Sequence, residues 1–356
     1  MTAMNLQIRI DGDIAPLRSG LEDWLGRLPD YRDRAPRLED LQPVGGSGSA
    51  NITLTGRLAT RDGEARDIVV RMPDAELTPY LDQRLERQVR IIRWVAAHGD
   101  LPVPHVIGAD DSSAVLSRPF MMMDRIEGQA AIDFPGYNID GFLLPMTPAQ
   151  RHALWTSGID TLCALHRTQS PPPDYIDFPG IASSGLPQLL THWRNSLDWA
   201  ADAVDHRYFS QVIDWLERTM PADAPTGLSW GDARIGNMLF RERRCVAILD
   251  WEMASCGGPL IDLAWWLLFD RIQDEDTGVA RLEGLGDRAE TIARWESGTG
   301  LGTARLHWHE VLAAFELSIT RACAFWHRGR RGLPVPPDDD PRSVRRLQHR
   351  IDRLLG

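Results

Sequence analysis

The hydrophobic spacing of this chain changes near residue 146, and that change restricts the fold more than any single motif. Before it, short apolar runs separated by turn signals predict strands. Residues 41–56 (LQPVGGSGSANITLTG) read as strand, glycine-rich turn and strand. Residues 66–73 (RDIVVRMP) read as a third strand, and 115–129 (VLSRPFMMMDRIEGQ) as one more with a polar exit. Two helices interrupt them. Over 16–28, Leu17, Leu21, Trp24, Leu25 and Leu28 share one face; over 79–99, Leu81, Leu85, Val89, Ile92 and Ala96 point inward. After residue 146 the pattern is helical: 147–168 opens on a Thr147 cap, and 187–204 and 210–220 follow. A β interlude at 237–251 precedes more helix, and 332–343 reads as an exposed linker before the last one. A β-rich first third joined to a helical remainder predicts an α+β, two-lobed architecture, with a small lobe over 1–127 and a larger one over 128–356.

Composition removes several chemistries. All 39 basic residues are arginine. Without lysine there is no phosphate-loop GK[ST], no Schiff base and no amine nucleophile, so a phosphate-binding cation here must be a guanidinium. A net charge of −11 excludes a basic nucleic-acid-coating surface. Four scattered cysteines (Cys163, Cys245, Cys256, Cys323) suggest neither a zinc site nor a disulfide framework. The N-terminus lacks the apolar core of a signal peptide, and the run LAWWLLF after Asp262 is too short to span a bilayer. A soluble cytoplasmic protein without nucleic-acid or membrane partners is expected.

The chemistry gathers in an ordered set. The turn Gly45, Gly46, Ser47, Gly48, Ser49 would let backbone N–H groups approach a polyphosphate, although alone it is an ordinary hairpin. Arg71 ends the next strand and precedes a helix bearing Glu86, with Asp82 and Gln88 near the same face. That is the order of a kinase small lobe: glycine loop, strand cation, helix carboxylate. Further on, SWGDARIGNMLF holds Asp232 and Asn237 in D-x-x-x-x-N spacing. A carboxylate can orient an acceptor hydroxyl and take its proton, and a carboxamide oxygen can ligate Mg²⁺ without adding charge. Thirteen residues beyond Asn237, Asp250 ends the apolar strand VAILD, where a metal-holding carboxylate belongs.

The stretches WGDARIGNMLF and VAILDWEMASCGGPLIDLAWW resemble the aminoglycoside phosphotransferase / kinase-like superfamily, in particular the branch resembling the kinase-like domain fused to some acyl-CoA dehydrogenases. The segments VGGSGSANITL, LERQVRIIRWVA, LPVPHVIG, PFMMMDRIEG and ALHRT fall in the same order. The resemblance implies a protein-kinase-like fold with ATP, or GTP, between the lobes and transfer to a small hydroxylated acceptor. It implies Asp232 as base, Asn237 and Asp250 as Mg²⁺ ligands and Arg71 as phosphate cation. Met123, Asp124, Arg125 and Ile126 would form the hinge that reads the nucleotide base. Asp262 would brace the catalytic loop, with Arg234 and Trp230 in support; the family commonly has histidine where Trp230 stands. A hydroxyacyl-type metabolite and an aminoglycoside-like compound are the two candidate acceptors, the acidic stretch 270–278 favouring the second as a rim for cations. A nucleotide-binding pseudokinase acting as an interaction module is the rival from another class. His307 and His309 read as surface residues on different helix faces, and His166 as a satisfied core histidine. Oligomeric state is not encoded in any motif.

Overall fold

The computed structural model describes residues 14–44, 51–74, 77–82, 84–99, 101–168, 176, 178, 180–333 and 341–356. Its small lobe is an antiparallel sheet of β1 (Arg37–Pro43), β2 (Asn51–Ala59), β3 (Ala65–Pro73), β4 (Val106–Asp110) and β5 (Phe120–Asp124), in the order β1-β2-β3-β5-β4. Period-two alternation puts Leu54, Ile68 and Val70 on one face, fully buried under α1 (Ile14–Leu25). There the Trp24 and Phe120 rings meet edge to face at 4.8 Å. β5 is buried on both faces, which is why FMMM is continuously apolar: Phe120 and Met122 join the α1 core, while Met121 and Met123 join that of α2 (Leu85–His98).

Two expectations shift, and one strand is unanticipated. α2 begins at Leu85, not at 79: Asp82 accepts hydrogen bonds from the Arg84 backbone (3.2 Å) and side chain, an Asx-type arrangement that competes with helix. Leu81 is therefore exposed, and Ala96 also faces out; Leu85, Val89 and Ile92 are buried. The short strand β4 has no alternation to announce it. Its Gly108 lets the sheet approach Trp24, whose ring lies 3.0 Å from where a Cβ would stand. Within the expected linker, 334–340 lie outside the described residues, and the last helix already begins at Pro341.

The larger lobe comprises α3 (Pro148–His166), α4 (Gly185–Trp199), α5 (His206–Arg218), the hairpin β6 (Met238–Arg241) and β7 (Arg244–Ile248), α6 (Pro259–Arg271), α7 (Arg288–Thr299), α8 (Leu306–Arg330) and α9 (Pro341–Leu355). α3 starts with a capping box between Thr147 and Gln150. α6 is buried at every position from Pro259 to Leu268, as its all-round apolar sequence requires. It carries one polar residue into that core, Asp262, and continues into a single π turn at Ile272–Asp276. Such turns are frequent at functional sites. No helix among the described residues is long and apolar enough to cross a membrane. The whole is the α+β, two-lobed protein-kinase-like architecture.

Truncating Phe120, fully buried between α1 and the sheet, removes the ring that meets Trp24 edge to face in the small-lobe core. Phe120→Ala is expected to lower stability by about 3–5 kcal/mol in urea unfolding. A loss below about 1 kcal/mol would contradict this packing.

Candidate active site

The loop that carries Asp232 and Asn237 is suspended from one carboxylate. Asp262, fully buried in the first turn of α6, accepts from the backbone N–H of Trp230 (2.8 Å) and of Gly231 (2.7 Å). His166 Nε2 lies 2.9 Å from its Oδ2, while His166 Nδ1 faces the indole N–H of Trp295 at 2.8 Å. The indole can only donate, so Nδ1 accepts and the ring proton sits on Nε2, pointed at Asp262. Gly231 has φ +91°, and a Cβ there would stand 2.2 Å from the Met253 carbonyl oxygen, so only glycine fits. Trp230 is buried, and its indole N–H donates to the carbonyls of Leu249 (2.7 Å) and Asp250 (3.0 Å). It ties this loop to the segment that carries Asp250.

That loop sets Asp232 against Asn237. The Asn237 amide donates to Asp232 Oδ2 at 2.6 Å, and the Trp265 indole and Arg234 Nε each donate to Oδ1 at 2.7 Å. Burial and the charge of Asp250 push the Asp232 carboxyl up to about 7, against the pull of Trp265 and Asn237. The adjacent Arg234 guanidinium pulls the same way as those donors. Burial lowers Arg234 to about 10, which leaves it charged at neutral pH. Asp250 itself adopts φ +57°, a conformation uncommon outside glycine and met at functional sites.

Arg71 reaches this cluster from β3, but its partner is not Glu86. Its Nη1 pairs with Asp250 Oδ1 at 2.5 Å and its Nη2 with Glu252 Oε1 at 2.8 Å. Burial opposes the charge, yet the two carboxylates outweigh it and hold Arg71 above the usual arginine range. Glu86 is exposed in the first turn of α2 and pairs with Arg90 one turn along, because the helix turns Arg87 and Gln88 inward instead. Arg87, over the Phe178 ring at 4.4 Å, donates to the carbonyls of Ile176 and Ala254.

Among the remaining candidates, Met123 is buried, Asp124 and Ile126 are half-buried and Arg125 is exposed. The Asp124 N–H donates to the His105 carbonyl and the Arg125 N–H to that of Asp67, both at 2.9 Å, so the chain leaves β5 in a fixed path. Gly45, Gly46, Ser47, Gly48 and Ser49 lie outside the described residues; β1 and β2, which they connect, pair antiparallel. The sequence did not single out Asp133 or Glu252. Asp133 pairs with Arg234, and its carboxylate occupies the space a side chain at Gly236 would need, 2.5 Å from that Cβ. Only the glycine hinted at it. Glu252 stands two residues after Asp250 in the same motif.

The donor set suits a hard cation that a nucleotide helps to ligate. No group of three or more His, Cys, Asp or Glu residues among the described ones could hold a metal alone. Asn237 commits its amide nitrogen to Asp232, which leaves its carbonyl oxygen as donor, and Asp250 adds a carboxylate; Mg²⁺ bound with substrate phosphates and water asks for such a pair.

The model of the phosphotransferase enzyme family matches residues 56–298. The chain belongs to that family. Acyl-CoA dehydrogenase family member 11 of Pongo abelii is 25% identical over 326 residues, covering 84% of this chain and 40% of the relative. The chain thus spans about two fifths of that relative's length. A Ralstonia eutropha protein assigned as an aminoglycoside phosphotransferase superposes with a TM-score of 0.62 at 20% identity, over 96% of this chain and 95% of its own. A thermostable aminoglycoside phosphotransferase APH(4)-Ia, in a complex with AMP-PNP and hygromycin B, gives 0.55 at 17%, over 95% and 98%.

For this family member, the acidic stretch 270–278 is not an uncompensated rim. Asp270 and Asp274 pair with Arg281, and Tyr137 and Asn138 donate to them. Glu275 pairs with Arg271, and Asp276 with Arg346 and Arg350. His307 is exposed, whereas His309 is buried, its Nδ1 2.7 Å from the Arg305 carbonyl. Asp262→Ala would strand two backbone N–H groups and the His166 N–H in the interior. It is expected to cost about 3–5 kcal/mol of stability in thermal unfolding; a loss under about 1 kcal/mol would show that Asp262 does not hold the loop.

Proposed function

We propose that the chain is an ATP-dependent, Mg²⁺-requiring O-phosphotransferase acting on a small hydroxylated molecule, with GTP as a possible donor. The observation that carries this is the convergence of Asp232, bonded to Asn237, with Asp250, to which the other lobe delivers Arg71. Asp232 accepts the proton of the acceptor hydroxyl as its oxygen attacks the γ-phosphorus. The bond from that phosphorus to the bridging oxygen breaks, and the nucleoside diphosphate leaves. Asn237 and Asp250 would hold the Mg²⁺ that offsets phosphate charge. Arg71 anchors phosphate oxygens, and backbone groups of 123–126 read the base. Catalysis comes from positioning and charge neutralisation, without a covalent enzyme intermediate.

For the acceptor we take a hydroxyacyl-type metabolite over an aminoglycoside-like compound. The kinship with acyl-CoA dehydrogenase family members supports it. So does the internal pairing of the 270–276 carboxylates with Arg271, Arg281, Arg346 and Arg350, which leaves little net charge to attract a polycation.

A panel of hydroxyacyl thioesters and aminoglycosides, assayed with ATP for wild type and Asp232→Ala, tests the assignment. Transfer to a hydroxyacyl acceptor is expected, with kcat falling about 10²–10⁴-fold in the variant. Nucleotide binding without transfer to any acceptor would favour the pseudokinase, and transfer that survives loss of Asp232 would remove its role as base. Asp250→Ala is expected to abolish the Mg²⁺ dependence of nucleotide binding in calorimetry; an unchanged Mg²⁺ titration would refute the metal assignment.

A further inference from the structure

A guanidinium that is to grip phosphate needs a carboxylate that holds it without competing for the cation the phosphate brings. Arg71 has two carboxylate contacts, and they are not equivalent. Asp250 is the residue assigned to the cation, so a bound cation competes for its contact with Nη1. The contact of Nη2 with Glu252 has no such rival. Glu252 is itself fixed from the small lobe: Asn51 Nδ2 donates to the same Oε1, at 2.9 Å, that receives Arg71 at 2.8 Å. Asn51 and Arg71 come from the adjacent strands β2 and β3, whose register pairs Asn51 with Pro73 and Thr53 with Arg71. Glu252 is largely buried, its side chain as enclosed as that of Arg71. α2 is tied to the same stretch of the larger lobe by Arg87, which donates to the Ala254 carbonyl, and Glu86 plays no part. Three small-lobe elements thus converge on residues 250–254.

We propose that Glu252 is the positioning residue of the nucleotide site. Together with Asn51, it holds Arg71 toward the phosphates, the part a helix carboxylate was expected to play, and leaves Nη1 as the arm for a phosphate oxygen. The assignment rests on reading this cleft as a nucleotide site.

The test is calorimetric binding of ATP in the presence of EDTA, where Arg71 and not the cation supplies the charge, repeated with Mg²⁺. The proteins are wild type, Glu252→Gln, Arg71→Ala, the double variant and Glu86→Gln, each checked for folding by thermal unfolding. Glu252→Gln keeps the shape of the side chain and can still accept from Asn51; Glu252→Asp serves as a second variant if it does not fold. Glu252→Gln is expected to weaken metal-free ATP binding about tenfold, and the double variant to be no weaker than Arg71→Ala alone. Glu86→Gln is expected to bind like wild type. Metal-free affinity unchanged in Glu252→Gln but lost in Arg71→Ala would overturn the proposal and leave the nucleotide site intact. A Glu252→Gln defect seen only as a raised Mg²⁺ requirement would make Glu252 a cation ligand and overturn it equally. Wild type that binds no nucleotide with or without Mg²⁺ would sink the nucleotide site itself, and the proposal with it.

Discussion

Burying a carboxylate is costly unless hydrogen bonds replace its water, and an isolated buried charge is costlier still. Asp262 meets that constraint with donors rather than a cation: two consecutive backbone N–H groups and an imidazole N–H whose tautomer is set by Trp295. The donors belong to the loop that carries Asp232 and to α3, and Trp295 of α7 donates in turn to the His166 ring, so four elements meet around one side chain on α6. Remove it, and the left-handed turn at Gly231 loses the acceptor that defines its path. The placement of Asp232 and Asn237 depends on that turn, because their separation is fixed by the backbone between them.

The cleft above is built on a different balance. Burial, joined by the nearby charge of Asp250, raises the proton affinity of Asp232 and Glu252. Arg71 and Arg234 offset part of that charge, each bridging two carboxylates: Asp250 with Glu252, and Asp232 with Asp133. A lysine could not bridge in this way with fixed geometry; a planar fork can. The absence of lysine from the chain is therefore no handicap here. The remaining negative excess is what a divalent cation would relieve.

How much of this the sequence carried depends on whether a partner lay within the same segment. Periodicity was enough for the sheet and the helices, since alternation in 66–73 and three-to-four spacing after 146 each report which face is buried. Asp232, Asn237 and Asp250 were legible because spacing and residue type within one short stretch encode them, and the structure brings all three to one place. Glu86 was not, because the pairing of Arg71 depends on which helix face turns inward; α2 starts at Leu85 and turns Arg87 there instead. Asp133 was invisible for the same reason on a larger scale: it lies 101 residues from Arg234, and only the fold joins them. The acidic run at 270–278 misled because charge patterning in one segment does not reveal the arginines of α9 and residue 281 that cancel it.

Trp230 bears on whether the cleft works as an enzyme. Where the resembled family commonly has histidine before the Gly-Asp pair, the tryptophan lends support to a pseudokinase, although a histidine with a structural role could be replaced with activity retained. In the fold its backbone N–H still meets Asp262, and its indole N–H grips two consecutive carbonyls at the end of the segment bearing Asp250. A ring with a single N–H donor serves there as well as an imidazole, and the larger indole fills the space beside Trp251, with centroids 6.1 Å apart. The residue holds Asp232 and Asp250 in one frame through backbone carbonyls rather than through either carboxylate. A degenerate site would have no need of that frame, nor of the strained φ at Asp250 that it supports. The substitution is therefore better read as an exchange of one structural donor for another than as the loss of a catalyst.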